Sequence, residues 1–139
     1  MSANGAVMQG KKGLIMGVAN ERSIAWGIAS KLAEQGADLA FTFQGEALQK
    51  RVVPLADSVG SNLVLPCDVT DEASVDAVFD RLKSEWGTLD FVLHAIAYSD
   101  KEELKGGYVE TSRDNFRRTM DISVYSFTEI TREAIEMMN

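Results

Sequence analysis

Apolar residues along this chain follow two rhythms that take turns: short unbroken runs, and longer stretches repeating every three or four positions. Leu14-Ile-Met16, Ala37 to Phe43, Leu63 to Pro66, and Phe91-Val-Leu93 within Leu89–Ala97 are the short runs and predict strands. Between the first two, Ile24, Ile28 and Leu32 fall on one helical stripe that Gly36 is placed to stop. A second helix over 46–59 turns Leu48, Val52, Leu55 and Val59 inward, with Pro54 expected to kink or restart it. A third, capped by Thr70 with Asp71 and Glu72 in its first turn, carries Val75, Val78, Phe79, Leu82 and Trp86 and ends at Gly87. From Thr111 or Ser112 a long helix runs through Phe116, Met120, Val124, Phe127, Ile130 and Ala134. Strands alternating with helices predict a doubly wound parallel α/β sheet with right-handed crossovers. The expected strand order is 3-2-1-4, little more than one half of such a sheet.

Composition narrows the partners. A chain of 139 residues, 45% hydrophobic and 25% charged, is expected to form one ordered domain. Its net charge of −7 argues against nucleic acid and anionic membrane surfaces. Cys67 is the only cysteine, which excludes an intrachain disulfide and a cysteine metal cluster, and its apolar neighbours Leu63-Val-Leu65 predict a buried thiol. No apolar stretch approaches a membrane span and no secretory leader pattern opens the chain, so a cytoplasmic location is expected.

The most informative local pattern is Gly13-Leu-Ile-Met-Gly17-Val-Ala-Asn-Glu-Arg-Ser23-Ile24-Ala-Trp-Gly27. A strand ends at Gly17, a polar loop follows, and a helix opens at Ser23. Glycine lets the chain turn sharply, and the unpaired amides at a helix start face negative charge, as in a pyrophosphate site. The usual fingerprint packs three glycines into six residues, whereas Gly17 and Gly27 flank a longer loop, so an ordinary strand-to-helix turn with Ser23 as a plain cap reads equally from the glycines alone.

With Phe41-Thr-Phe-Gln44, Cys67-Asp-Val69 and Asp121-Ile-Ser-Val-Tyr-Ser-Phe127 following in order, the chain resembles bacterial enoyl-acyl-carrier-protein reductases, a divergent branch of the short-chain dehydrogenase/reductases, from about Gly10 onward. The resemblance implies a Rossmann-type sheet and NADH-dependent reduction of the double bond of a 2-enoyl thioester in fatty-acid elongation. Carried onto this sequence, it implies that Gly17, Ser23 and Ile24 meet the pyrophosphate side of the cofactor, Gln44 and Asp68 the adenosine, Val69 the adenine ring and Ile96 the ribose. Ala97, Tyr98 and Ser99 would line the acyl pocket, Ala97 standing where many members have glycine. Gln44 carries no charge and no arginine follows before Arg51, so a 2′-phosphate finds no partner and NADH is expected over NADPH. An Asx turn is the structural counterpart for Asp68, and a place beside the strand is the expectation for His94, the one histidine.

The family's catalytic tyrosine and lysine, spaced Tyr-x6-Lys on a helix, are expected beyond Asn139, leaving no catalytic residue and no metal ligand among these 139. Tyr98 and Lys105 share that spacing, but in a charged loop ending in Gly106-Gly107, where the two side chains have no common helix face. The chain thus reads as the N-terminal part of a single dinucleotide-binding domain, inactive by itself, with a bare edge on its fourth strand that more chain or a partner would cover. The resemblance also implies an acyl-carrier-protein substrate and a homo-oligomer, a tetramer in the family. Another short-chain reductase would carry an Asn-Ala-Gly turn where His94-Ala-Ile-Ala97 stands, and a non-catalytic dinucleotide-binding module is the reading if the chain stops at Asn139.

Overall fold

The computed structural model describes residues 6–138. Four strands, β1 (Lys12–Met16), β2 (Asp38–Phe43), β3 (Val64–Pro66) and β4 (Phe91–His94), form one sheet in the order β3-β2-β1-β4. Every pairing is parallel, with Leu14 opposite both Ala40 and Val92. The helices between them are α1 (Ile24–Glu34), α2 (Glu46–Ser58) and α3 (Glu72–Glu85). After β4, two short 3₁₀ turns lead to α4 (Arg113–Met120), a π-helical turn (Asp121–Tyr125) and α5 (Ser126–Ile135).

Alternation along the strands splits the core in two. Leu14, Met16 and Ala40 face Val75, Val78, Phe79 and Leu82 of α3 and Ile130 and Ala134 of α5. Ile15, Leu39, Phe41 and Phe43 face Ala25 and Ala29 of α1 and Val52 and Ala56 of α2. Because both faces are covered, the strands read as continuous apolar runs. At Gly13, any Cβ would enter the Phe91 ring of β4, so that glycine makes room for an aromatic crossing from the next strand.

Several sequence expectations are corrected. In α1 the buried residues are Ala25 and Ala29, while Ile24 is 81% exposed and Ile28 40%. Small side chains let this helix lie close to the sheet, and the isoleucine stripe points away. Asp71, not Thr70, caps α3 by accepting from the Ala73 amide, and Thr70 turns back to Asp68. Pro54 sits inside α2 without dividing it.

The long helix is the largest departure. Ser112 caps it, accepting from the Asn115 amide, but it runs through a π turn, and Phe116, Met120, Val124 and Phe127 are exposed. The inward side of α4 and the π turn is polar and is consumed in hydrogen bonds to the segment after β4. Ser126 Oγ lies 2.8 Å from His94 Nε2. Ser123 Oγ accepts from the Tyr98 amide at 3.0 Å and donates to the Tyr98 carbonyl at 3.2 Å. Asn115 accepts from the Asp100 amide at 2.8 Å and donates to Ser99 Oγ at 3.1 Å. Only from Ile130 onward does the inner stripe become apolar. Beyond α5 the chain returns to the outer side of β4, where the Leu89 amide donates to the Met137 carbonyl and Leu89 and Met138 form a parallel bridge.

Candidate functional site

A cavity of about 370 Å³ opens at the carboxyl ends of the strands, where open α/β sheets place ligands. Gly17 and Val18 line it from the exit of β1, Gln44 from β2, Asp68 and Val69 from β3, and Ile96, Ala97 and Tyr98 from β4. Seven of the ten residues singled out from the sequence thus share one hollow. Ser23 and Ile24 belong to the adjoining loop and helix start, and Ser99 is turned to Asn115.

The turn after β1 is built for close approach. Gly17 has φ +108°, and a Cβ there would run into the Ala95 carbonyl, so only glycine fits. Ser23 occupies the N-cap position of α1, but its side chain reaches back rather than forward. Its Oγ accepts from the amides of Ala19 at 2.9 Å and Asn20 at 3.1 Å, and Asn20 in turn accepts from the Arg22 amide. The loop is rigid as a result, the first turn of α1 has no side-chain cap, and the Ser23 hydroxyl keeps its own proton to donate.

Asp68 Oδ1 accepts from the Thr70 hydroxyl at 2.7 Å and the Thr70 amide at 2.9 Å, which is the Asx turn expected of it. These two bonds, the hydroxyl first, hold its carboxyl below the usual range, aided by the facing Gln44 amide. Cys67, also in the lining, is buried as expected, and burial pushes its thiol up to about 11. At neutral pH it is an uncharged wall. His94 donates to Ser126, whose own hydroxyl is given to the Ile122 carbonyl; burial lowers its pKa and keeps it neutral. That is the place beside the strand expected of it.

Tyr98 and Lys105 do not meet in a common site. Tyr98 lines the cavity, whereas Lys105 pairs with Glu102 at 3.0 Å outside the lining. The sequence reasoning missed Thr42, Leu48, Arg118 and Ile122, all in the lining. Arg118 and Ile122 come from α4 and the π turn, and the outward apolar stripe gave no hint that this helix borders the cavity. Among the described residues no cluster of His, Cys, Asp and Glu is arranged to hold a metal, and no helix is long and apolar enough to cross a membrane.

The cavity fits a dinucleotide on its own geometry. A turn that tolerates no Cβ lines it and leads on to the uncapped amides of the adjoining helix start, and an ionised carboxylate facing a neutral amide lines it as well.

Residues 17–139 match the family model described as enoyl-(acyl carrier protein) reductase. Two Rhizobium meliloti proteins, enoyl-[acyl-carrier-protein] reductase [NADH] 2 and 1, are 66% and 60% identical over 133 and 139 residues. These alignments cover 96% and 100% of this chain, and 50% and 51% of those proteins. Among solved structures, FabI from Candidatus Liberibacter asiaticus superposes with a TM-score of 0.92 at 56% identity, covering 94% of this chain and 51% of that one. The enoyl-(acyl-carrier-protein) reductase of Anaplasma phagocytophilum in complex with NAD gives 0.90 at 56% identity, covering 94% and 50%. The chain spans about half the length of the curated relatives it matches.

Proposed function

Because this chain belongs to the enoyl-(acyl carrier protein) reductase family, we propose that it supplies the cofactor cradle of an NADH-dependent reductase acting on 2-enoyl thioesters of acyl carrier protein in fatty-acid elongation. The observation that carries the reading is the single cavity gathering Gly17, Gln44, Asp68, Val69, Ile96, Ala97 and Tyr98 from the ends of all four strands. When bound, a nicotinamide cofactor supplies the hydride for the double bond.

The residues of this chain bind and orient. The uncapped amides at the start of α1, with Ile24 beside them, and the Ser23 hydroxyl donate to a pyrophosphate, and Gly17 lets it come close to the backbone. Asp68 accepts from an adenine amine, Gln44 hydrogen-bonds the adenosine side, and Val69 packs on the ring. Ile96 supports the ribose, and Ala97, Tyr98 and Ser99 flank the acyl chain. In the complete protein, initial rates on a crotonyl thioester are expected to be higher with NADH than with NADPH, since Gln44 offers no charge to a 2′-phosphate. Equal or faster turnover with NADPH would refute the role given to Gln44.

The 139 residues alone are expected to show no enoyl reduction with NADH, because they hold no helical Tyr-x6-Lys pair to stabilise an enolate and orient the nicotinamide ribose. Turnover by this chain that is lost in Tyr98→Phe would overturn that expectation. We further read the exposed apolar stripe Phe116, Met120, Val124 and Phe127 as an interface between copies of the chain, in a homo-oligomer working in the cytoplasm.

A further inference from the structure

The cavity lining holds two charged side chains, Asp68 after β3 and Arg118 on α4. Arg118 lies with its guanidinium carbon 4.9 Å from the centroid of the Tyr98 ring, over its face. None of the ion pairs among the described residues involves it. Asp114 and Asp121, about one turn away on either side of the same helical run, make no pair with it. A guanidinium seated on an aromatic face keeps its in-plane N–H donors free, and their fork matches a phosphate. The seat itself is fixed, because Ser123 Oγ grips the Tyr98 backbone on both sides. In a chain of net charge −7, an unpaired arginine in a ligand cavity is a local exception that would focus an anion there.

Two phosphates could reach such a site: the cofactor's pyrophosphate, and the phosphate on the pantetheine arm that carries the acyl thioester. The pyrophosphate already has the Gly17–Ser23 turn on β1. Arg118 stands on α4 against Tyr98, which the family resemblance puts on the acyl side. We propose that Arg118 is a specificity-determining residue that binds the phosphate of the thioester's pantetheine arm, an inference that rests on the reductase reading above.

The test compares crotonyl-4′-phosphopantetheine with crotonyl-pantetheine, which differ only in the phosphate, in the complete protein that carries this chain. Arg118→Gln is expected to lower the ratio of kcat/KM for the phosphorylated over the unphosphorylated thioester about five- to tenfold, the scale of one charge-assisted contact near the surface. Arg118→Lys should restore part of that ratio, and rising salt should erode it in the wild type but not in the glutamine variant. Calorimetry with 4′-phosphopantetheine alone should show weaker binding to Arg118→Gln. An unchanged ratio, with both thioesters losing equally, would mean that Arg118 only braces Tyr98 and would overturn the proposal. A raised KM for NADH with the ratio intact would assign the anion to the cofactor instead and overturn it too. A wild-type protein that binds NADH but reduces neither thioester would sink the reductase reading itself, and this inference with it.

Discussion

Asp68 does two jobs with one carboxylate, and its neighbours set how it is tested. One oxygen closes the turn with Thr70 while the group faces Gln44 across the cavity. Its lowered pKa means that the stability it contributes is present above the ordinary carboxylate range and is lost only as pH falls through the depressed value. At neutral pH it is therefore fully ionised and able to accept from an adenine amine. Asp68→Ala in the complete protein is expected to weaken NADH binding by about 1–3 kcal/mol, measured by calorimetry. Asp68→Asn should keep the turn yet bind NADH more weakly than wild type. Unchanged affinity in both variants would leave Asp68 a turn residue alone. At this scale the sequence was readable wherever chemistry is local. Ser23 and Asp68 act through bonds within a few residues of themselves, and Cys67 announced its burial through its nearby leucines. Gly17 marks the end of its own apolar run, although the carbonyl that demands a glycine there is that of distant Ala95. Arg118 was not readable, because its role depends on Tyr98, twenty positions earlier in the chain and brought near only by the fold.

At the scale of elements, periodicity located the four strands and the helical stretches that follow them, but not the two 3₁₀ turns after β4, the π turn in the last stretch, or always the direction in which a helix faces. A stripe of apolar residues says that one side differs from the other; it does not say which side meets the sheet. From α4 through the π turn to the first residue of α5 the inner side carries Asn115, Thr119, Ser123 and Ser126, and Asn115, Ser123 and Ser126 bind the stretch between His94 and Asp100. The extra residue of a π turn shifts the phase of the helix so that these groups and the later Ile130 and Ala134 stay on the same side. In α1 the same ambiguity was resolved the other way, with alanines inside. Glu129 shows what the inner side costs. It is nearly buried on α5, and burial first, then the charges of Glu72, Asp121 and Asp76, push its pKa up against the opposing pull of Arg132. A raised carboxyl pKa gives full stability below the ordinary range and loses it as pH rises through the folded value. Glu129→Gln is accordingly expected to raise the urea midpoint at pH 7, with the gain vanishing near pH 4, where the acid is protonated in both states. A midpoint lowered equally at both pH values would show that the carboxylate is needed for a contact instead.

For the whole molecule, the outward apolar stripe and the charges beside it point to self-association. Arg113 and Arg117 outweigh Asp114 at the start of this helical run, and Asp121 and Glu133 outweigh Arg132 in its later part. Two copies crossing antiparallel would set each basic half on its partner's acidic half, over Phe116 to Phe127. Sedimentation of the complete protein is expected to show an oligomer that Phe116→Glu combined with Phe127→Glu breaks down. Retention of its size by the double variant, with wild-type circular dichroism, would remove this face from the interface. The sheet order has a different kind of consequence, in time rather than space. β1 is the centre of the sheet, and its partner on one side follows at once, but Lys12 meets Asp90 only across a separation of 78 residues. A ribosome adding about 5–20 residues per second takes roughly 4–16 s to cover that gap. During that interval the nascent chain presents β1 with one ladder closed and the other open, and the cavity has no far wall. Pulse-labelled hydrogen exchange on stalled nascent chains should find the β1–β2 amides protected before those of β4.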